Sequence, residues 1–195
     1  MESLTSNFEH IIPILSFEDG YFYYAQIIQR RKDIPDLPKT RIVLRDDVIP
    51  SLEYLESHME FWMKFCQVNN ARMYINVNRK RYDLTSYMMV EQLSVAMRTN
   101  QFGHIPNIFK KAAFRTPTDK RDQWLLIDID EKDLSLVNNI QMWLDSNWVE
   151  SYHLPTKNGY HVISKKFNTQ KFKDKFDDME HVMDIKKNSP TLLIF

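Results

Sequence analysis

Trp124-Leu125-Leu126-Ile127-Asp128-Ile129-Asp130 is the stretch whose reading decides the fold and the chemistry of this chain. Four apolar residues in a row read as a strand buried on both faces. Two carboxylates then alternate with Ile129, and the two-residue period of a strand puts Asp128 and Asp130 on one face where the strand stops. Two like charges side by side are costly unless a cation separates them, and a divalent metal is the usual partner. Taken alone, the pair is also readable as a solvated strand end. Asp133 follows as a helix cap, ahead of the apolar stripe Leu136, Val137, Ile140, Trp143, Leu144.

Two further stations lie downstream. Thr156-Lys157-Asn158-Gly159-Tyr160-His161 opens a second apolar strand through Val162-Ile163. Glycine allows close backbone approach, and a lysine, a histidine and the N–H donors of a turn can hold a polyphosphate. The same residues also fit a plain hairpin whose histidine is satisfied by a neighbour. Asp184 follows Val182-Met183 on an expected strand, and by itself it is equally a surface acid before Lys186 and Lys187.

Composition narrows the possibilities. The chain has 195 residues, 43% hydrophobic and 13% aromatic, enough for a substantial core. Lys and Arg total 26 and so do Asp and Glu, so any attraction to nucleic acid must come from a local patch. The single cysteine, Cys66, falls in the helical pattern Leu52, Leu55, Met59, Trp62, Cys66 and reads as core filler. One cysteine forms no intrachain disulfide and no multi-cysteine zinc site, and suits a reducing compartment, so a cytoplasmic location is expected. No apolar run approaches the length of a membrane span, and no signal peptide is seen. Only Gly20, Gly103 and Gly159 occur, too few to write a P-loop or a dinucleotide-binding fingerprint. No His-Glu-x-x-His and no Lys-x-Asp-Gly is present, which disfavours a zinc hydrolase and a covalent nucleotidyl-lysine ligase.

Alternating helical and strand patterns predict an α/β or α+β domain with helices packed on the sheet. Strands are expected over 21–31, 41–44, 72–77, 124–129, 149–153, 160–163, 180–184 and 191–195. Helices are expected from Pro50 and Ser51 to about Val68, over 83–97, after Asp133, and over 168–176. The segment 99–122, with Gly103, Pro106 and Pro117, is the least defined. The whole is read as one domain, 1–195, with an N-terminal part to about residue 100 and a motif-bearing part beyond it.

Asp128-Ile129-Asp130, Gly159-Tyr160-His161 and Met183-Asp184, in this order and strand context, resemble the archaeo-eukaryotic primase superfamily, which includes primase-polymerases. The runs Arg72-Met-Tyr-Ile-Asn-Val-Asn-Arg and Asp184-Ile-Lys-Lys-Asn-Ser-Pro-Thr-Leu-Leu also look like those of small phage primase-like proteins. The resemblance implies a sheet of RNA-recognition-motif type joined to an N-terminal α/β unit. It implies a nucleotidyltransferase that adds nucleotides on a single-stranded template by two-metal catalysis. Asp128, Asp130 and Asp184 would hold Mg²⁺ or Mn²⁺, and His161 would join them as a catalytic residue. Lys157, Asn158, Gly159, His161 and Lys186 would contact the nucleoside triphosphate. Implied partners are single-stranded nucleic acid and a helicase or other replication proteins, in the cytoplasm of a host if the chain is virus-encoded. One cysteine writes no multi-cysteine zinc module, and no helicase or priming-accessory domain is expected within these 195 residues. That leaves open a catalytically reduced protein that binds, sequesters or hydrolyses nucleotides, and a nucleic-acid-binding accessory module.

Basic residues occur in runs: Arg30-Arg31-Lys32, Arg79-Lys80-Arg81, then Lys110, Lys111, Arg115, Lys120 and Arg121. Such runs are often solvated faces. If strands 72–77 and 124–129 are parallel neighbours, then Arg79, Lys80, Arg81, Arg115, Lys120 and Arg121 reach the same sheet edge as the carboxylates and can grip nucleic acid.

Overall fold

A computed structural model describes residues 4–118, 122–179 and 181–195 of the chain. The architecture is α+β, with two four-stranded antiparallel sheets and the helices Phe8–Ile11 (α1), Leu52–Asn69 (α2), Tyr82–Arg98 (α3), Ile108–Arg115 (α4), Leu134–Ser146 (α5) and Thr169–Lys175 (α6). The first sheet has the order β2-β1-β3-β8, from Tyr21–Arg30 (β1), Arg41–Ile49 (β2), Arg72–Arg81 (β3) and Thr191–Ile194 (β8). The second has the order β5-β6-β4-β7, from Trp124–Ile129 (β4), Ser151–Pro155 (β5), Tyr160–Lys165 (β6) and Met183–Lys187 (β7). The last strand thus returns to the N-terminal sheet, and Thr5 and Phe195 exchange backbone hydrogen bonds at 2.7 and 3.0 Å.

Alternation along β1 and β3 divides the first sheet into an apolar face and a polar one. Tyr23, Ala25, Ile27, Met73, Ile75 and Val77 pack under the helix Leu52–Asn69 (α2), whose stripe Leu55, Trp62, Cys66 is buried. Each such side chain taken from water stabilises the fold by about 1.5–3 kcal/mol. Ser51 caps α2 by accepting the Tyr54 N–H at 3.1 Å, and Asn70 ends it in the left-handed conformation, φ 45°. Burial pushes the Cys66 thiol up to about 12, so it is an inert core filler.

In the second sheet, Ile127, Ile129 and Val162 face the helices Leu134–Ser146 (α5) and Thr169–Lys175 (α6). Asp133 caps α5 by accepting from Ser135 N at 2.8 Å and Leu136 N at 3.3 Å, as expected. Asn168 caps α6 in the same way. The opposite face, bearing Leu126, Asp128 and His161, looks across a cavity toward Gln26, Ile28, Arg30, Arg72 and Tyr74 of the first sheet.

Several boundaries differ from expectation. β2 runs on from Leu44 to Ile49 because its charges are paired. Arg45 reaches Asp47 at 2.5 Å, Asp47 accepts the Trp62 indole N–H at 3.0 Å, and Asp46 accepts from Gln26 at 2.5 Å. The segment 99–122 contains a 3₁₀ stretch, Phe102–Asn107, and a helix, Ile108–Arg115 (α4), whose Ala113 and Phe109 pack on Phe22 and Tyr24. β7 runs Met183–Lys187 rather than over 180–184, and its later end places Lys186 within the strand. The expected parallel pairing of 72–77 with 124–129 does not occur, since β3 and β4 belong to different sheets.

Candidate functional site

The site begins with the pairing of the central strand. In β4, Asp128 lies directly opposite His161 of β6 on one side and opposite Asp184 of β7 on the other. Three stations more than twenty residues apart in sequence therefore form one row across three adjacent strands. Their register follows from the apolar residues beside them. Ile127 pairs with Val162 and Ile185, and a slip of one residue would turn Asp128 into the α5–α6 core.

Within the row, Asp128 is the hub. Its Oδ1 lies 3.2 Å from His161 Nε2, and its Oδ2 accepts a hydrogen bond from the Lys186 ammonium. The same ammonium is 3.8 Å from Asp184 Oδ2. The bond from His161 and then that from Lys186 hold the Asp128 carboxyl far below the usual carboxylate range, against the burial that would raise it. His161 is buried, and its Nδ1 is 2.7 Å from the Thr191 hydroxyl on β8. Both ring nitrogens are thus engaged, and the imidazole orients Asp128 while its ring lines the cavity. Asp184 is the exposed member, its side chain 70% accessible.

Asp130 lies one residue beyond β4, where its N–H is held by the Val182 carbonyl at 3.0 Å, and it lines the cavity at an exposed position. Among the described residues, no cluster of three or more His, Cys, Asp or Glu side chains is arranged to hold an ion. Asp130 therefore does not complete a ligand triad with Asp128 and Asp184 in this arrangement. The pair Asp128–Asp184 nonetheless already shares one cation, the Lys186 ammonium, and offers hard carboxylate oxygens. Mg²⁺ and Mn²⁺ are commonly held by one or two carboxylates, with water and substrate phosphates completing the shell. The donor set fits such an ion.

The hairpin at the cavity mouth depends on Gly159. A Cβ there would stand 1.9 Å from the Ile129 carbonyl oxygen, 2.9 Å from Glu131 N and 3.0 Å from Glu131 O. Glycine thus lets the turn close over the end of β4. The turn is fastened by Gly159 N donating to Thr156 Oγ1 at 3.0 Å and Thr156 N donating to Gly159 O at 2.9 Å. Lys157 and Asn158 are exposed at its tip and line the cavity, and Lys157 reaches Asp33 at 3.5 Å.

The cavity measures about 530 Å³, within the range of small-ligand sites. Among the described residues, Arg30, Lys32, Arg41, Arg72, Lys157 and Lys186 line it, six cations against the two carboxylates Asp128 and Asp130. Four of the six come from the first sheet and its following loop, and none of those four figured in the sequence-based site. Arg72 is held by an ion pair to the buried Asp33, and Arg30 donates to the Tyr74 hydroxyl at 2.9 Å. The signal that could have found them is the pairing of Ile28 with Arg72 and of Gln26 with Tyr74, which puts these residues on one face.

Of the basic residues assigned to nucleic acid, Arg79, Lys80 and Arg81 fall away from the carboxylates. Asn78 joins the two sheets, donating to the Trp124 carbonyl at 3.0 Å and accepting the Trp124 N–H at 2.8 Å. The 79–81 end of β3 therefore lies by the start of β4, away from the carboxylates, while Arg72 at its other end faces them. Lys80 is 1% exposed, and its ammonium donates to Thr116 O at 2.9 Å, Asn188 Oδ1 at 3.2 Å and Thr118 Oγ1 at 3.4 Å. It is an interior cation, unavailable to a polynucleotide. Arg79 pairs with Glu18 at 2.8 Å and Asp122 at 2.9 Å and lies over the Tyr21 ring. Arg81 is half exposed and pairs with Asp83 at 2.5 Å, and Arg115 is exposed at the end of α4. Lys120 and Arg121 lie outside the described residues.

No protein-family model matches the chain, and no curated protein and no solved structure matches it at a significant level.

Proposed function

We propose that the cleft between the two sheets binds a nucleoside triphosphate and that the protein is a metal-dependent nucleotidyltransferase of primase-polymerase type. The observation that carries the reading is the row His161–Asp128–Asp184, whose His161 and Asp128 line a cavity that also bears six Lys and Arg side chains among the described residues. Clustered cations suit a polyanion, and paired carboxylates suit the divalent ion that accompanies it. Mg²⁺ or Mn²⁺ held by Asp128 and Asp184 would activate a 3′-hydroxyl and stabilise the pyrophosphate leaving group. Arg72 from the facing sheet and Lys157 from the β5–β6 turn, each paired with Asp33, would receive the phosphates. His161, fixed between Asp128 and Thr191, keeps the carboxylate turned toward the cleft.

One observation favours a second reading, a protein that binds or sequesters a nucleotide without extending a chain. The carboxylate pair is already compensated by Lys186 and has no third acidic or histidine ligand among the described residues. Single-stranded nucleic acid, replication proteins and a virus-encoded origin remain part of the proposal at the level of the motif resemblance. No helix among the described residues is long and apolar enough to cross a membrane.

Calorimetric titration of a nucleoside triphosphate, with and without Mn²⁺, tests the reading against Asp128→Ala. Metal-dependent binding that disappears in the variant is expected, followed by growth of labelled product on a primed single strand. Binding without chain growth selects the second reading. No binding by the wild-type protein refutes both.

A further inference from the structure

Among the described residues, Lys186 is the one cation lining the cleft that stands on a strand of the same sheet and on the same face as the carboxylates. It lies two residues beyond Asp184 on the edge strand β7 and opposite Leu126, so it reaches diagonally to Asp128. Its ammonium touches Asp128 Oδ2 and stands 3.8 Å from Asp184 Oδ2. The other oxygen of Asp128 is committed to His161. The one Asp128 oxygen left to face a cation between the two acids is therefore already taken by a compact positive charge. A lysine ammonium resembles a small ion more than a planar guanidinium does, and it rides on a long stem. The Lys186 side chain is 36% exposed and lines the cavity, so it has room to turn away from the carboxylates toward a ligand there.

We propose that Lys186 is a resident counter-cation that competes with the divalent metal for Asp128 and Asp184 and is released to the polyphosphate when both ligands are present. This inference rests on the metal-dependent triphosphate reading above. It assigns Lys186 two opposed effects: its charge weakens metal binding to the empty protein and strengthens binding of a polyphosphate. Metal and triphosphate then bind cooperatively, because each relieves a cost that the other would meet alone. It also accounts for a carboxylate pair that stays compensated while the cleft is empty, since two uncompensated acids so close would repel.

The test measures each ligand separately in wild-type protein, Lys186→Gln and Lys186→Arg. Mn²⁺ alone is titrated with detection of the free ion by electron paramagnetic resonance. Inorganic tripolyphosphate is titrated by calorimetry in excess EDTA. Removing the charge is expected to tighten Mn²⁺ binding by about tenfold or more and to weaken tripolyphosphate binding by a similar factor. Lys186→Arg keeps both near wild type. A purely structural role would weaken both ligands together, and the melting temperature of each variant shows whether the fold is intact. The double variant Asp128→Ala, Lys186→Gln is expected to lose the added Mn²⁺ affinity.

Equal Mn²⁺ affinity in wild type and Lys186→Gln, with loss in Asp128→Ala, overturns the role of Lys186 and leaves the metal site standing. Absence of Mn²⁺ binding in wild type and Lys186→Gln alike overturns this inference together with the metal reading. Retention of tight Mn²⁺ binding in the double variant puts the ion elsewhere and overturns the inference alone.

Discussion

Replacing Gly159 with alanine tests how the hairpin is held over the end of β4. The added methyl would meet Ile129 O at 1.9 Å, with Glu131 N and O at 2.9 and 3.0 Å. Ordinary carbon–oxygen contact needs about 3.2–3.5 Å, so the turn must withdraw by more than about 1 Å. All three opposing atoms are backbone, so no side-chain rotation offers relief. Withdrawal strains the register of Ile129 with Tyr160 and of Asp128 with His161, the first two pairs of the β4–β6 ladder beyond the turn. Overpacking in a closed site costs about 1–3 kcal/mol, and in a domain of this length each kcal/mol lowers Tm by about 2–4 °C. With no side chain to yield, the upper part of that range is expected, a fall of about 6–12 °C by differential scanning calorimetry. Gly103→Ala is the matched control. No atom lies within 4 Å of its added Cβ, so its Tm is expected to stay within about 2 °C of wild type. A Gly159→Ala protein that melts with the wild type would refute the close approach and the account of the hairpin built on it.

Asn78→Ala leaves the Trp124 N–H and C=O without their side-chain partners at the seam between the sheets. A loss of about 2–4 kcal/mol in urea unfolding is expected, accompanied by a change in tryptophan emission; a loss below about 0.5 kcal/mol would mean the seam is held by other contacts. Lys80 is pushed down to about 8 by burial, below its ordinary 10.5, and so binds its proton less tightly folded than unfolded. Between those values the unfolded chain carries the extra proton, and this group makes stability rise with pH. From pH 7 to 9 the wild type should gain about 1 kcal/mol relative to Lys80→Met, read from urea midpoints at both pH values, and parallel pH profiles of the two proteins would contradict the assignment.

Local chemistry made much of the fold legible. The apolar run 124–127 specified a buried strand. Ser51, Asp133 and Asn168 marked helix starts, because a short oxygen-bearing side chain satisfies N–H groups that the first turn leaves open. Reading failed where charge was neutralised at a distance. The expected strand stopped at Leu44, before Arg45-Asp46-Asp47, yet Trp62, Gln26 and the ion pair within the triplet allow them to continue β2. α4 was hidden among turn-forming residues, and its helical state is supported by packing on Phe22 and Tyr24. The Arg79-Lys80-Arg81 run read as a surface patch, but Lys80 points inward to oxygen atoms of Thr116, Thr118 and Asn188 that lie far along the chain.

The sequence by itself determined a mixed α and β class, the strand that carries Asp128 and the order of the three stations. Period, capping and apolar runs act over a few residues, and those signals survive without the fold. Only the tertiary structure decided that His161, Asp128 and Asp184 share one row, that Asp130 stands apart from it, and that Lys186 compensates the acids. It alone decided that Arg30, Arg41 and Arg72 form the facing wall. Strand register and the packing of one sheet on another depend on side chains distant in sequence meeting all at once, and no local pattern encodes which of them will meet.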